Sequence, residues 1–189
     1  MEGESGTTTR TIRIEREVDA LLRRLSEEEH VSVNHLVNRS LRKLVEWDAY
    51  AEKFGVVSVP SALIERMMEC LTDEQARELG AWVGGNLVRE FLTFWFKELS
   101  VSQVLREYPR LTAQYGRAFE YEERQDNGRW VIILKHGNGK RWSIFYGELL
   151  RMLFEQVAQR EAAIEATENQ VVARFALIEA PRVAAASAP

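Results

Sequence analysis

Cysteine is nearly absent from this 189-residue chain. Cys70 stands alone, so no internal disulfide can form, which fits a cytoplasmic location. It follows Met67 and Met68 in an apolar helical stretch, where a buried, inert thiol is the expectation. Long hydrophobic runs are missing too. The longest, Phe91 to Phe96, is far too short to span a bilayer and is flanked by Arg89, Glu90, Lys97 and Glu98. The segment Met1 to Thr9 is polar and lacks the apolar stretch of a secretory signal, so neither export nor a membrane partner is expected. Soft metal ligands are scarce. His30, His35, His136 and Cys70 show none of the paired spacings that hold a metal, and no cofactor motif appears.

What is present is ordinary for a globular protein: 46% hydrophobic and 29% charged residues, with a net charge of −4. An acidic balance argues against non-specific nucleic-acid binding. Locally the sign reverses. Between Thr8 and Val45 eight basic residues face six acidic ones, a surplus that permits contact with DNA.

Hydrophobic periodicity divides the chain. Thr8 to Ile14 is short and β-branched and predicts a strand. Val18, Leu21, Leu22 and Leu25 predict a helix over 16–29, with Glu15, Glu17 and Asp19 at its positive end. Ser32 is a good N-cap for a second helix carrying Val33, Leu36, Val37, Leu41, Leu44 and Val45. The Gly55 to Pro60 stretch breaks the pattern, so one domain is expected over 8–50 and a second over 58–180. In the second, a helix is expected from Ser61 to about Leu71. Thr72 to Gln75 is a capping box heading a helix to about Glu98, and Ser100 to Gln103 is another, whose helix Pro109 ends. Period two then predicts a three-stranded meander: Ala118 to Glu123, Arg129 to His136 and Lys140 to Phe145. Its turns are Asp126-Asn127-Gly128 and Gly137-Asn138-Gly139. A helix over 147–166 and a last strand over 171–178 follow. Gly80, Gly84 and Gly85 predict a close approach between helices. The aromatic set from Trp82 to Phe154 predicts an aromatic core rather than an effector pocket.

Function is carried by the first 47 residues. On the strand, Ile12 and Ile14 point one way, and Thr9, Thr11 and Arg13 the other. One strand on two helices leaves an open edge, and some 45 residues bury too little surface to be stable alone. A second copy solves both problems. It pairs the strands antiparallel and interlocks the helices around Ile12, Ile14, Val18, Leu22, Leu25, Leu36, Val37 and Leu41. The resulting two-stranded ribbon fits the major groove of double-stranded DNA. There Arg13 can donate two hydrogen bonds to guanine, while Thr9 and Thr11 offer hydroxyls and methyls to base edges. The helix start at Ser32, Val33 and Asn34 makes a phosphate seat.

The run Thr-Arg-Thr-Ile-Arg-Ile-Glu-Arg-Glu-Val over 9–18, then Leu22, Leu25 and Val31-Ser32-Val33-Asn34, resembles the MetJ/Arc/CopG ribbon-helix-helix family. The resemblance covers roughly residues 8–47. It implies base contacts from Thr9, Thr11 and Arg13, and a phosphate clamp at Ser32, Val33 and Asn34. Members often carry glycine in the inter-helix turn, where this chain has His30, so His30 must adopt a left-handed or alternative turn. Many also have proline or a short polar cap where this chain has Glu15.

The expectation is therefore an α+β protein: a ribbon-helix-helix dimer followed by a helical and β-meander domain. It would act as a sequence-specific transcriptional regulator, a repressor by occlusion. Its second domain would take an effector or partner, or assemble dimers into higher oligomers. Two alternatives are an antitoxin using the same ribbon and a dimerisation clasp that never touches DNA. No nucleophile–base constellation supports an enzyme. Glu120 and Glu122 alternate with Phe119 and Tyr121 and so belong to a solvated sheet face.

Overall fold

The computed structural model describes residues 6–95, 103–126, 129–159 and 161–176. It is a mixed helix and sheet structure that separates into two compact units, Met1–Ala49 and Tyr50–Pro189. In the first, helix α1 (Arg16–Glu28) and helix α2 (Val33–Lys43) form where the periodicity places them, and α2 runs on into a π-helical turn, Leu44–Asp48. A three-residue helix α3 (Ala49–Ala51) lies at the junction of the units.

Residues 6–15 contain no strand, so the expected Thr8 to Ile14 strand and its ribbon are absent from the single chain. The reason is physical. A strand exists through hydrogen bonds to a neighbour, and this segment pairs with no strand among the described residues.

The second unit opens with α4 (Ser61–Glu69) and α5 (Asp73–Trp82). Thr72 and Gln75 form the expected reciprocal capping box. The helix continues as a π-helical stretch, Val83–Val88, into α6 (Arg89–Trp95). The buried residues Ala76, Gly80, Gly84 and Val88 recur every four positions. In a 3.6-residue helix that spacing drifts by about 40° per step. The wider π turn absorbs the drift and keeps these small residues on one face.

That face meets helix α8 (Lys140–Met152), which continues as a π-helical stretch, Leu153–Ala158. A Cβ added to Gly80 would collide with the backbone oxygen of Phe145, and one on Gly84 would sit 2.8 Å from that of Leu149. The expected close helix approach is therefore present. Helix α8 lies between this helix and the sheet, so it buries Trp142, Phe145, Tyr146, Leu149 and Leu150 around much of its circumference. The sheet has four antiparallel strands: β1 (Glu120–Asp126), β2 (Arg129–Lys135), β3 (Ala163–Ala166) and β4 (Gln170–Phe175). Their order is β1-β2-β4-β3. Ile132, Leu134, Val171, Ala173 and Phe175 share one buried face by register, and Phe175 meets Phe154 with ring centroids 4.7 Å apart. Arg106, on a π-helical turn Gln103–Glu107, stacks over Trp130 and pairs with Glu123, tying that turn to β1 and β2.

Five expectations for this unit need correction. Lys140 to Phe145 is the first turn and a half of α8, not a third meander strand, and Gly137-Asn138-Gly139 leads into a helix. Trp142, Phe145, Tyr146, Leu149, Leu150 and Leu153 follow the helical period, whereas a six-residue window shows only an aromatic-rich run. Consequently residues 163–166, expected to be helical, form strand β3. Pro109 does not end its helix. It sits in the first turn of α7 (Tyr108–Leu111), where its missing N–H costs little, and a π-helical turn, Thr112–Gly116, follows. Cys70 is exposed rather than buried, at the end of α4 with its thiol donating to the Arg66 carbonyl (3.3 Å). The Ser100 to Gln103 capping box extends outside the described residues, as does the turn Asn127-Gly128, although Asp126 does pair with Arg129 across it. The aromatic set is mostly core: Phe91, Trp95, Phe119, Trp142, Phe145, Tyr146 and Phe154 are buried, while Trp82 and Phe94 are exposed.

The start of α8 is fastened by His136. The Asn138 N–H donates to its Nδ1 (3.2 Å), which fixes the proton on Nε2, 2.9 Å from the Ser143 hydroxyl oxygen. The fully buried Ser143 hydroxyl then donates to the Glu168 carbonyl (3.3 Å). Ser143 and His136 are thus a structural tie and not a nucleophile with its base, because the nitrogen facing the hydroxyl already carries a proton.

Gly80→Ala or Gly84→Ala should lower the unfolding free energy of the second unit by about 3 kcal/mol in urea titrations, because the added carbon meets helix backbone. Gly147→Ala, in ordinary contact at 3.6 Å from Ile164, should change it by no more than about 1 kcal/mol. Burial lowers the His136 pKa from the ordinary histidine value, so the unfolded chain takes up a proton more readily than the folded one. Its stabilising contribution is complete above the unfolded pKa, about 6.5. It is lost as pH falls through the lowered folded value. His136→Gln should flatten this acid limb in thermal melts between neutral pH and pH 5. An unchanged limb would refute the assignment.

Candidate nucleic-acid interface

The first unit is built on two short amphipathic helices and the turn between them. Helix α1 ends in a Schellman motif: the His30 N–H donates to the Glu27 carbonyl and the Val31 N–H to the Ser26 carbonyl (3.1 Å). This geometry requires a left-handed residue after the cap, and His30 supplies it with φ of 54°. Histidine thus occupies a glycine position without changing the turn. Bonding of the Ser26 hydroxyl to the Val31 carbonyl reinforces it.

Helix α2 begins immediately afterwards. Ser32 accepts the His35 N–H (3.1 Å), as expected of an N-cap. Capping leaves the Val33 and Asn34 N–H groups without intrahelical acceptors, pointing off the positive end of the helix. Ser32 and Asn34 are exposed and Val33 is half-buried. Asn38 donates to both oxygens of Asn34, fixing that side chain on the helix end.

Charge is sorted along this unit. Arg23 pairs with Asp19, Arg24 with Glu28, Arg39 with Glu29, Arg42 with Glu46 and Lys43 with Asp48. Arg10, Arg13 and Arg16 have no ion-pair partner among the described residues. The cations of this unit without an ion pair are therefore confined to the N-terminal arm and the first residue of α1. Sequence spacing reveals the i,i+4 pairs, but the bidentate Arg39–Glu29 contact joins residues ten apart and needs the folded turn.

The expected apolar set is only partly covered in one chain. Leu36 is buried, and Leu22 and Val37 are half-buried. Ile12, Ile14, Val18, Leu25 and Leu41 are exposed; Ile12 retains 58% of its surface and Leu41 51%. Leu21, Leu44 and Val45 extend the same exposed set. Helix α1 has no buried residue at all. An apolar face this extensive is unusual on so small a unit. Thr9, Thr11 and Arg13 are likewise exposed, on the strandless arm.

No metal-ligating group of three or more side chains occurs among the described residues, and no helix there is long and apolar enough to cross a membrane. No protein-family model, curated protein or solved structure matches the chain.

The left-handed turn yields a direct test. His30→Gly removes the steric cost of a side chain at positive φ, which exceeds the backbone entropy glycine adds to the unfolded chain. The variant should raise the stability of the first unit by about 0.5–1 kcal/mol, read as an increase in its thermal midpoint. A decrease would show that the His30 side chain has a role of its own.

Proposed function

We propose that this protein is a sequence-specific DNA-binding regulator that acts as a homodimer, repressing by occlusion of its operator. The observation that carries the reading is the pairing of two features in the first unit. Its apolar face is left open by a single chain, and its unpaired cations lie on the arm next to that face. A second copy covers the first feature and leaves the second available. In the dimer, the two arms pair as an antiparallel ribbon through Ile12 and Ile14. Thr9, Thr11 and Arg13 then face the major groove, while the open N–H groups of Val33 and Asn34 beside Ser32 hold a phosphate and set the register.

The resemblance of roughly residues 8–47 to ribbon-helix-helix proteins supports this division of labour. The second unit, with its own core of helices on a four-stranded sheet, favours a regulator with a folded partner domain over an antitoxin with a short tail.

The decisive experiment is a pair of titrations, operator and scrambled duplex, at one salt concentration. Arg13→Ala should weaken operator binding by about 1–3 kcal/mol more than scrambled binding. Ser32→Ala should weaken both about equally, because the phosphate seat carries no sequence information. If Arg13→Ala left the operator-to-scrambled ratio unchanged, the arm would not be the reader, and the unit would be a dimerisation clasp.

A further inference from the structure

An open groove of about 570 Å³ lies along the helix from Val83 to Trp95 in the second unit. Six helix residues line it: Gly85, Asn86, Arg89, Glu90, Thr93 and Phe94. They fall into two ridges with a four-residue step, Gly85-Arg89-Thr93 and Asn86-Glu90-Phe94. Phe54 walls one end and holds Phe94 in place, with the rings 5.1 Å apart and steeply inclined. Phe94 nevertheless keeps 46% of its surface exposed. Arg89 and Glu90 are both exposed, and neither has an ion-pair partner among the described residues. As sequence neighbours on a helix they do not face each other.

We infer that this groove is a self-complementary interface, and that its occupant is the same helix of a second copy, packed antiparallel about a two-fold axis between Arg89 and Glu90. A two-fold contact requires that if one residue meets another, the reverse contact also forms. With the axis there, Arg89 meets the second copy's Glu90, and Glu90 meets its Arg89. Asn86 meets Thr93 twice, and Phe94 falls on Gly85 twice. One symmetry operation thus pairs all six lining residues: two ion pairs at the centre, two polar contacts beside them and two aromatic knobs at the ends. Each knob meets a position without a side chain. Paired four-residue ridges are also the commonest helix-packing surface. An enclosed site that buries most of a small ligand is a different shape from this open trough.

The inference does not depend on DNA recognition. It is tested on the full chain by sedimentation equilibrium, with Ile12→Glu and Ile14→Glu present to block pairing of the N-terminal arms. In that background the protein should still form dimers. Arg89→Glu, which places like charges together twice, should raise the dissociation constant by at least about tenfold, as should Glu90→Arg. The double exchange, Arg89→Glu with Glu90→Arg, restores both pairs and should return the constant to near its starting value. A monomeric background protein, indifference to the single reversals, or failure of the double exchange to rescue would each overturn the proposal. Without the arm substitutions, a dimer that persists in Arg89→Glu reports the N-terminal pairing separately.

Discussion

The second unit depends on two side chains that are not there. At Gly80 and Gly84 the helix beginning at Asp73 comes against the backbone of α8, closer than any Cβ would permit. That contact sets α8 as the central element, with a helix on one side and the β1-β2-β4-β3 sheet on the other. The aromatic residues of α8 then have no outward face to occupy, which is why Trp142, Phe145 and Tyr146 are all buried in mutual contact. The π-helical stretch after Trp82 belongs to the same constraint. It keeps residues four apart in line with α8 where a regular helix would rotate them away.

The first unit obeys the opposite logic. Two short helices and an arm cannot enclose a core, and its apolar residues stay largely uncovered in one chain. Its order comes from local devices: a Schellman turn at His30, an N-cap at Ser32 and a string of surface ion pairs. Exposed pairs of this kind contribute little stability individually. Their larger effect is to neutralise most of the helical cations, which leaves Arg10, Arg13 and Arg16 without an ion pair among the described residues.

In the proposed reading, each unit presents a surface that a second copy would complete. Isologous faces close on themselves, so a chain with two of them has two ways to assemble. If both faces meet the same partner, a dimer results, and each contact raises the effective concentration of the other. If they meet different partners, dimers join into larger assemblies.

Much of this was legible in the residues themselves. The helices of the first unit, the Ser32 cap, the Thr72 capping box, the first hairpin and the glycine contact all rest on interactions within a few residues or on a missing side chain, and such signals are local. Other features were decided only by the tertiary structure. Lys140 to Phe145 has a composition that suits strand or helix, and burial on both sides of α8 selects the helix. Cys70 follows an apolar stretch yet lies exposed, because α4 turns a different face inward. The Arg39–Glu29 pair and the His136–Ser143–Glu168 tie join residues far apart in the chain. The N-terminal arm marks the limit of sequence reading: its residues carry the alternation of a strand, but a strand is a relation between two segments, and among the described residues no second segment pairs with it.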